Sequence, residues 1–165
     1  MLFTRLKKWR SEVLVYLTHQ MALPILRFIR KPEIFPYTIV ELNKFPKGTM
    51  GNDLALFLEK KGLELLPYYA RHDMKHILLG YDTTDEGEGC LQCFMLGNGH
   101  KSFPVLATVL YGLITMPEHW SSFRKAFTRG RKTGPIAKWK WFELLEQPTG
   151  YLKQRINTPR HLPIN

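Results

Sequence analysis

The chain has 165 residues, of which 44% are hydrophobic and 23% are charged. These fractions are typical of a globular protein and exclude a disordered or fibrous chain. Lysine and arginine together number 24 against 14 aspartate and glutamate residues, so the formal net charge is +10. This charge predicts an anionic partner, which could be nucleic acid, a membrane surface, or a phosphorylated or carboxylated ligand.

The N-terminal residues predict a basic amphipathic helix over 3–22. Apolar side chains recur there at helical spacing, and basic residues cluster at its start: Arg5, Lys7, Lys8 and Arg10. This helix is either an ordinary surface helix packed on the core or a membrane-surface anchor. The segment lacks the features of a cleavable signal peptide, which favours the cytosolic side. We expect residues 1–44 to form this helix and a proline-rich connection, and residues 45–165 to form the helical remainder of a single domain.

Glycine and proline residues divide the rest of the chain into predicted helices. The first is capped by Asn52 or Asp53 and ends at Gly62, and the second begins near Pro67 and ends at Gly80. Further helices are predicted over 84–96, 102–115, 117–129, 136–146 and 148–155. No run alternates as a strand would, so the sequence predicts an all-α orthogonal bundle of about seven or eight helices.

Three potential metal ligands share one side of the second predicted helix. His72, His76 and Asp73 point to about 0°, 40° and 100° around the helix axis, so one ion could contact all three. Eleven residues separate His76 from Glu88, enough for a helix end and a loop that folds the next helix back. Imidazoles and carboxylates are ligands for zinc, iron or manganese. The sequence therefore predicts a divalent-metal site of His72, Asp73, His76 and Glu88.

Other interpretations of these residues stay open. The pattern HDMKH at 72–76 is similar to the zinc-protease motif H-E-x-x-H, but its aspartate is one methylene shorter than the protease's catalytic glutamate, which argues against a peptidase. Histidines four residues apart on a helix also occur commonly without a metal. Cys90 and Cys93 could complete a structural zinc site with the histidines, although their apolar neighbours favour a place in the core.

The residues from 72 to 88 resemble the signature of the coenzyme Q biosynthesis protein 4 family. That signature is H-D-x-x-H, eleven residues and then E, and here HDMKH is followed after eleven residues by Glu88. The similarity extends over FPKGTMGNDLALFLEKKGLELLPYYARHDMKHILLGYDTTDEGEG and, more loosely, over FRKAFTRGRKTG and KQRINTPRHLPI. It therefore covers roughly residues 45–165.

The resemblance implies an all-α fold in which His72, Asp73, His76 and Glu88 hold Zn²⁺, or alternatively Fe²⁺ or Mn²⁺, and carry the activity. The implied activity is removal of the C1 carboxylate from a polyprenyl 4-hydroxybenzoate-type ring, with hydroxylation at that carbon. The implied location is peripheral, on the cytoplasmic face of a bacterial inner membrane or the matrix side of a mitochondrial one. A scaffold for other quinone-biosynthesis proteins is also implied, and a homo-oligomer stays open.

Neighbouring residues can be interpreted in the same terms. Arg71 and Lys75 flank the histidines, where they could attract a carboxylate or simply be solvated charges. The apolar runs 77–79 and 103–116 could line a groove for a prenyl chain or pack in the core. The longer run has 14 residues, whereas a membrane-spanning helix needs about 20.

Two alternatives belong to different classes of protein. A basic nucleic-acid-binding module is suggested by the residues near Trp139 and Trp141, because basic and aromatic side chains bind phosphates and stack on bases. The basic residues concerned are Arg124, Lys125, Arg129, Arg131, Lys132, Lys138 and Lys140. They could equally face lipid headgroups or solvent. The other alternative is a non-catalytic prenyl-lipid-binding scaffold whose metal only joins two helices.

Overall fold

The computed structural model of the protein describes residues 34–158 except 67 and 138, together with residues 5, 8–10, 12, 13 and 16. Within these residues the chain forms helices and no β-strand, which confirms the all-α prediction. Two 3₁₀-helices cover Pro117–His119 and Trp141–Leu144. The α-helices are α1 (Ile39–Leu42), α2 (Met50–Lys61), α3 (Ala70–Leu79), α4 (Asp85–Gly97), α5 (Phe103–Thr115), α6 (Trp120–Lys132) and α7 (Thr149–Asn157).

The described residues fall into two compact units. The first unit comprises residues 34–81 and 133–158, and the second comprises residues 82–132 with the described N-terminal positions. The expected division of the chain at residue 44 stays a prediction.

In the first unit, α3 packs against α2 and α7. Backbone hydrogen bonds join the start of α2 to the segment before α7: Met50 N donates to Gln147 O at 3.0 Å, and Gly51 N donates to Leu145 O at 2.9 Å. Aliphatic side chains that are almost fully buried form its core: Leu54, Leu58, Met74 and Leu152. This packing fixes α3, the helix that carries both histidines of the predicted site.

In the second unit, α4 packs against α5 and α6. Glycines allow α4 and α6 to touch backbone to backbone, because a Cβ atom on Gly130 would lie 2.2 Å from Phe94 O and one on Gly97 would lie 2.2 Å from Phe127 O. Asn98 Nδ2 also donates to Gly130 O at 3.1 Å. These contacts fix α4, the helix that carries Glu88.

The predicted glycine stops are confirmed, whereas one predicted cap is wrong. Gly62 and Gly80 end α2 and α3 in the left-handed conformation, with φ of 62° and 74°. The N-cap of α2 is Thr49 rather than Asn52 or Asp53. The first N–H groups of a helix need acceptors from outside it, and here the carbonyls of Gln147 and Leu145 accept from Met50 and Gly51. A tertiary contact thus replaces the side-chain cap that the sequence suggested.

The predicted helix over 136–146 is wrong, since among the described residues of this segment only Trp141–Leu144 is helical and it forms a 3₁₀-turn. Tertiary contacts explain the difference. Lys75 lies over the Trp141 ring at 5.6 Å and Arg155 lies over the Trp139 ring at 5.0 Å. The two tryptophan rings are 5.8 Å apart, whereas residues two apart on an α-helix would point to opposite sides. The contacts with α3 and α7 therefore override the local preference.

The remaining boundaries agree with the prediction to within a few residues. The segment predicted as one helix over 117–129 begins as a 3₁₀-turn at Pro117–His119 and continues as α6 to Lys132. Of the predicted helix over 3–22, residues 5, 8–10, 12 and 13 are helical, and most of the others lie outside the described residues. Pro67, expected near the start of α3, also lies outside them.

Candidate metal centre

α3 presents His72, Asp73 and His76 within little more than one helical turn, as the spacing predicted. His76 is buried, with 2% of its surface exposed, and its ring stacks on Phe57 with 13° between the planes. The centroids of the His72 and His76 rings lie 4.6 Å apart. The two imidazoles therefore adjoin each other on one side of the helix.

A backbone hydrogen bond fixes the tautomer of His76. Its Nδ1 lies 2.9 Å from the carbonyl oxygen of Tyr81, just beyond the end of α3. A carbonyl can only accept, so Nδ1 carries the proton and donates it. The lone pair of the neutral ring is then on Nε2, which is the arrangement that a histidine ligand of a metal usually has. This contact could not be predicted from the sequence, because the turn at Gly80, which brings Tyr81 back to the helix, is a feature of the folded chain.

His72 has an acidic and an aromatic neighbour on its own helix. Its Nδ1 lies 3.6 Å from Asp73 Oδ1, and the Tyr69 ring approaches it edge-on with centroids 6.4 Å apart. Burial raises the pKa of Tyr69 to about 12, with a smaller contribution from Asp73. The phenol therefore stays protonated at neutral pH.

Glu88 lies in the first turn of α4. Thr84 caps this helix by accepting from Gly87 N at 3.2 Å. Glycines flank Glu88 where space is short: a Cβ atom on Gly87 would lie 2.2 Å from Asp82 O, and one on Gly89 would lie 2.5 Å from the Phe123 ring. Close packing thus requires glycine on both sides of Glu88 in the sequence.

Ligand atoms of His72, His76 and Glu88 all lie within 4.8 Å of one another. Two atoms bound to one ion at about 2.1 Å can be at most about 4.2 Å apart, so small rotations would allow these three atoms to share an ion. Two imidazoles and a carboxylate suit zinc, iron or manganese and leave positions for substrate or water. The three residues therefore form a group that could hold a divalent metal. Asp73 is not part of this group, and its role as a ligand stays a prediction.

Two cations of α3 lie over aromatic rings of the segment around the second 3₁₀-turn. Arg71 lies 5.8 Å from the Phe142 ring centroid and Lys75 lies 5.6 Å from that of Trp141. Burial lowers the pKa of Lys75 to about 8, with a further contribution from Arg71. Neither side chain is thus a plain solvated charge. No periodic pattern in the sequence indicated these aromatic partners.

The aromatic rings on which bases would stack in the nucleic-acid interpretation are largely covered by other parts of the protein. Trp141 is buried, and Arg155 covers the Trp139 ring. Stacking on bases needs exposed ring faces. Binding of nucleic acid stays an untested alternative, and this geometry adds no support to it.

Cys90 and Cys93 are free and buried, as expected for core residues. Burial raises the pKa of the Cys90 thiol to about 11 and that of Cys93 to about 12. Metal ligation requires the thiolate, which these surroundings disfavour. Within the part of the chain that the structure describes, the group of potential ligands contains neither cysteine.

None of the described helices combines the length and hydrophobicity needed to cross a bilayer. The longest apolar run falls mostly on α5, which has 13 residues. This agrees with the expectation that the run does not span a membrane.

The fold and the three-residue group define a class, an all-α protein with a candidate divalent-metal site. Its fold is similar to the crystal structure of a protein from Nostoc punctiforme PCC 73102 that is provisionally named a ubiquinone biosynthesis protein. The TM-score is 0.64, with 18% sequence identity over 92% of this chain and 81% of the Nostoc chain. Similarity at this identity shows a common fold. The sequence matches no protein-family model and no curated protein.

Proposed function

We propose that this protein acts in ubiquinone biosynthesis through a divalent metal held by His72, His76 and Glu88. The observation that carries the proposal is the proximity of their ligand atoms, within 4.8 Å, in a chain whose HDMKH-x11-Glu pattern resembles a quinone-biosynthesis signature. The fold similarity to the Nostoc protein adds support. The metal proposed is Zn²⁺, with Fe²⁺ or Mn²⁺ as alternatives that the same ligands would accept.

The proposed reaction removes the C1 carboxylate of a polyprenyl 4-hydroxybenzoate-type ring and hydroxylates the same carbon. The carbon–carbon bond breaks, CO₂ leaves and a carbon–oxygen bond forms, which requires a two-electron oxidant such as dioxygen. A bound divalent ion would supply positive charge beside the ring carboxylate or phenolate.

The residues of α3 have separate tasks in this proposal. His76 presents Nε2 because Tyr81 O accepts from its Nδ1. Asp73, 3.6 Å from His72 Nδ1, orients that imidazole or becomes a fourth ligand after rotation. Arg71 and Lys75 add positive charge on the same helix, which favours a carboxylated ring over a neutral one.

The first experiment is elemental analysis of the purified protein and its His72→Ala and Glu88→Ala variants. The matched controls are His119→Ala and Glu86→Ala, which remove one residue of each type outside the proposed ligand group. We expect near-stoichiometric metal in the wild type and both controls, and its loss from both site variants. Equal metal content in the His72→Ala and wild-type proteins would refute the site.

Activity is measured separately, as CO₂ released from a carboxyl-labelled prenylated 4-hydroxybenzoate in the presence of dioxygen. Metal-dependent release that His72→Ala abolishes would support the enzyme. Retained metal without release, in protein that co-purifies with prenyl lipid, would instead favour the non-catalytic scaffold. The two measurements thus distinguish failure of the metal site from failure of the proposed chemistry.

A further inference from the structure

α5 is apolar on both of its faces. Its sequence from Phe103 to Thr115 contains no charged residue. One face is buried in the second unit: Val105, Thr108, Val109 and Gly112. A helix that is apolar all round is normally buried all round, so the opposite face of α5 should also be covered, and among the described residues it is not.

That opposite face is a continuous exposed surface, which we name the apolar stripe. Its residues follow helical spacing and occupy a sector of roughly 100° opposite the buried face. It extends for about 16 Å along the helix, at about 1.5 Å for each residue. Each of its residues has between 42% and 71% of its surface exposed: Phe103, Leu106, Leu110, Leu113 and Ile114. Apolar surface this contiguous usually marks a binding surface.

Trp120 lies at the C-terminal end of the apolar stripe. Its Nε1 donates to Leu113 O at 2.9 Å, while 53% of the residue stays exposed. The polar edge of the indole is thus satisfied by the backbone and the ring is presented outward. Tryptophan in this role is typical of membrane interfaces, where an amphipathic ring lies at the level of the headgroups.

A basic surface continues from Trp120 along α6. Arg124 and Arg131 fall on the same side of this helix as Trp120, with Lys125 and Lys132 beside them, and all four are exposed. α6 contains no acidic residue. We name these four residues the basic face. Lys101, also exposed, precedes the other end of the apolar stripe.

We infer that the apolar stripe, Trp120 and the basic face together form a docking surface for an anionic lipid bilayer. α5 would lie in the plane of the interface with its stripe among the acyl chains, which is how amphipathic helices bind membranes without crossing them. The charge selects this occupant over a second copy of the chain. In a dimer through the stripe, the basic faces would approach each other and repel if the two α5 helices were parallel, and would have no anionic partner if they were antiparallel. Anionic headgroups would attract them in either case.

The test is co-sedimentation with vesicles of phosphatidylcholine alone and of phosphatidylcholine with phosphatidylglycerol. The apolar variant is Leu110→Glu with Ile114→Glu, and its control is Val40→Glu with Leu56→Glu, at two exposed apolar residues of the first unit. The charge variant is Arg124→Glu with Lys125→Glu, and its control is Lys60→Glu with Lys61→Glu, which changes the net charge equally. Thermal melting confirms that each variant folds.

We expect wild-type protein to bind anionic vesicles more tightly than neutral ones. The apolar variant should weaken binding at least about tenfold, because two inserted side chains become charged. The charge variant should weaken it at least about 25-fold, at about fivefold for each basic residue lost. Both controls should bind within about threefold of the wild type, since their residues belong to the first unit and are not part of the docking surface.

Two results would overturn the inference. One is equal vesicle binding by the apolar variant and its control. The other is a dimer in sedimentation velocity that the apolar variant converts to a monomer while vesicle binding is unchanged, which would assign the stripe to a second copy. Because the assay needs no metal, its outcome does not depend on the proposed metal site.

Discussion

Replacement of Gly130 by alanine should destabilise the second unit, although the same change in most helices is stabilising. A Cβ atom there would lie 2.2 Å from Phe94 O and 3.0 Å from Asn98 N, about 1 Å closer to the oxygen than the 3.3 Å of a close C···O contact. α4 and α6 must therefore separate. That movement strains the hydrogen bond from Asn98 Nδ2 to Gly130 O and the contact of Arg129 with the Phe94 ring, 5.4 Å from its centroid.

The expected change in the free energy of unfolding is the sum of opposing effects. Alanine gains about 1 kcal/mol over glycine in helix propensity, overpacking costs about 1–3 kcal/mol, and a buried hydrogen bond contributes about 1 kcal/mol. When the backbone contact and the hydrogen bond are both disrupted, the net loss should be about 1–3 kcal/mol. In a chain of this length each kcal/mol lowers Tm by about 2–4 °C.

The assay is urea unfolding followed by circular dichroism, with Gly150→Ala as the matched control. Gly150 also lies in a helix, α7, but a Cβ atom there would have no atom within 4 Å, so we expect that variant to be up to about 1 kcal/mol more stable than the wild type. If Gly130→Ala is as stable as Gly150→Ala, the close backbone contact between α4 and α6 does not exist in solution.

Two further predictions concern titratable groups. Since burial raises the pKa of Cys90 to about 11 and that of Cys93 to about 12, both thiols at pH 8 should react with an aromatic disulfide at least about 100-fold more slowly in native than in urea-unfolded protein; equal rates would contradict their burial. The hydrogen bond from Arg10 lowers the pKa of Glu118, so its contribution to stability should be complete above the unfolded-state pKa and lost as pH falls through the folded-state value. Between about pH 5 and pH 3, the unfolding free energy of Glu118→Gln should therefore decrease less with falling pH than that of the wild type. An equal decrease in both proteins would argue against the ion pair.

The sequence alone determined the features that depend on local geometry. Gly62 and Gly80 end helices because glycine adopts the left-handed conformation without strain, and both do so here. The spacing of His72 and His76 places two imidazoles on one side of a helix, and their ring centroids are 4.6 Å apart. These outcomes need only the backbone geometry of neighbouring residues, which is why they could be predicted.

Only the tertiary structure decided the features that depend on residues distant in the chain. Thr49 rather than Asn52 is the N-cap of α2, because carbonyls from another segment accept from the first N–H groups of that helix. The described residues of 136–146 do not form an α-helix, because cations of α3 and α7 lie over two tryptophan rings that are 5.8 Å apart.

The apolar run at 103–116 shows most clearly that burial depends on residues distant in the chain. Its composition fitted a core helix and a prenyl-chain groove equally well. Packing against α4 decided the matter by covering one face of α5 and leaving the apolar stripe exposed. When a helix is apolar on every side, the spacing of its apolar residues cannot predict which face is buried. That face is determined by the neighbouring helices.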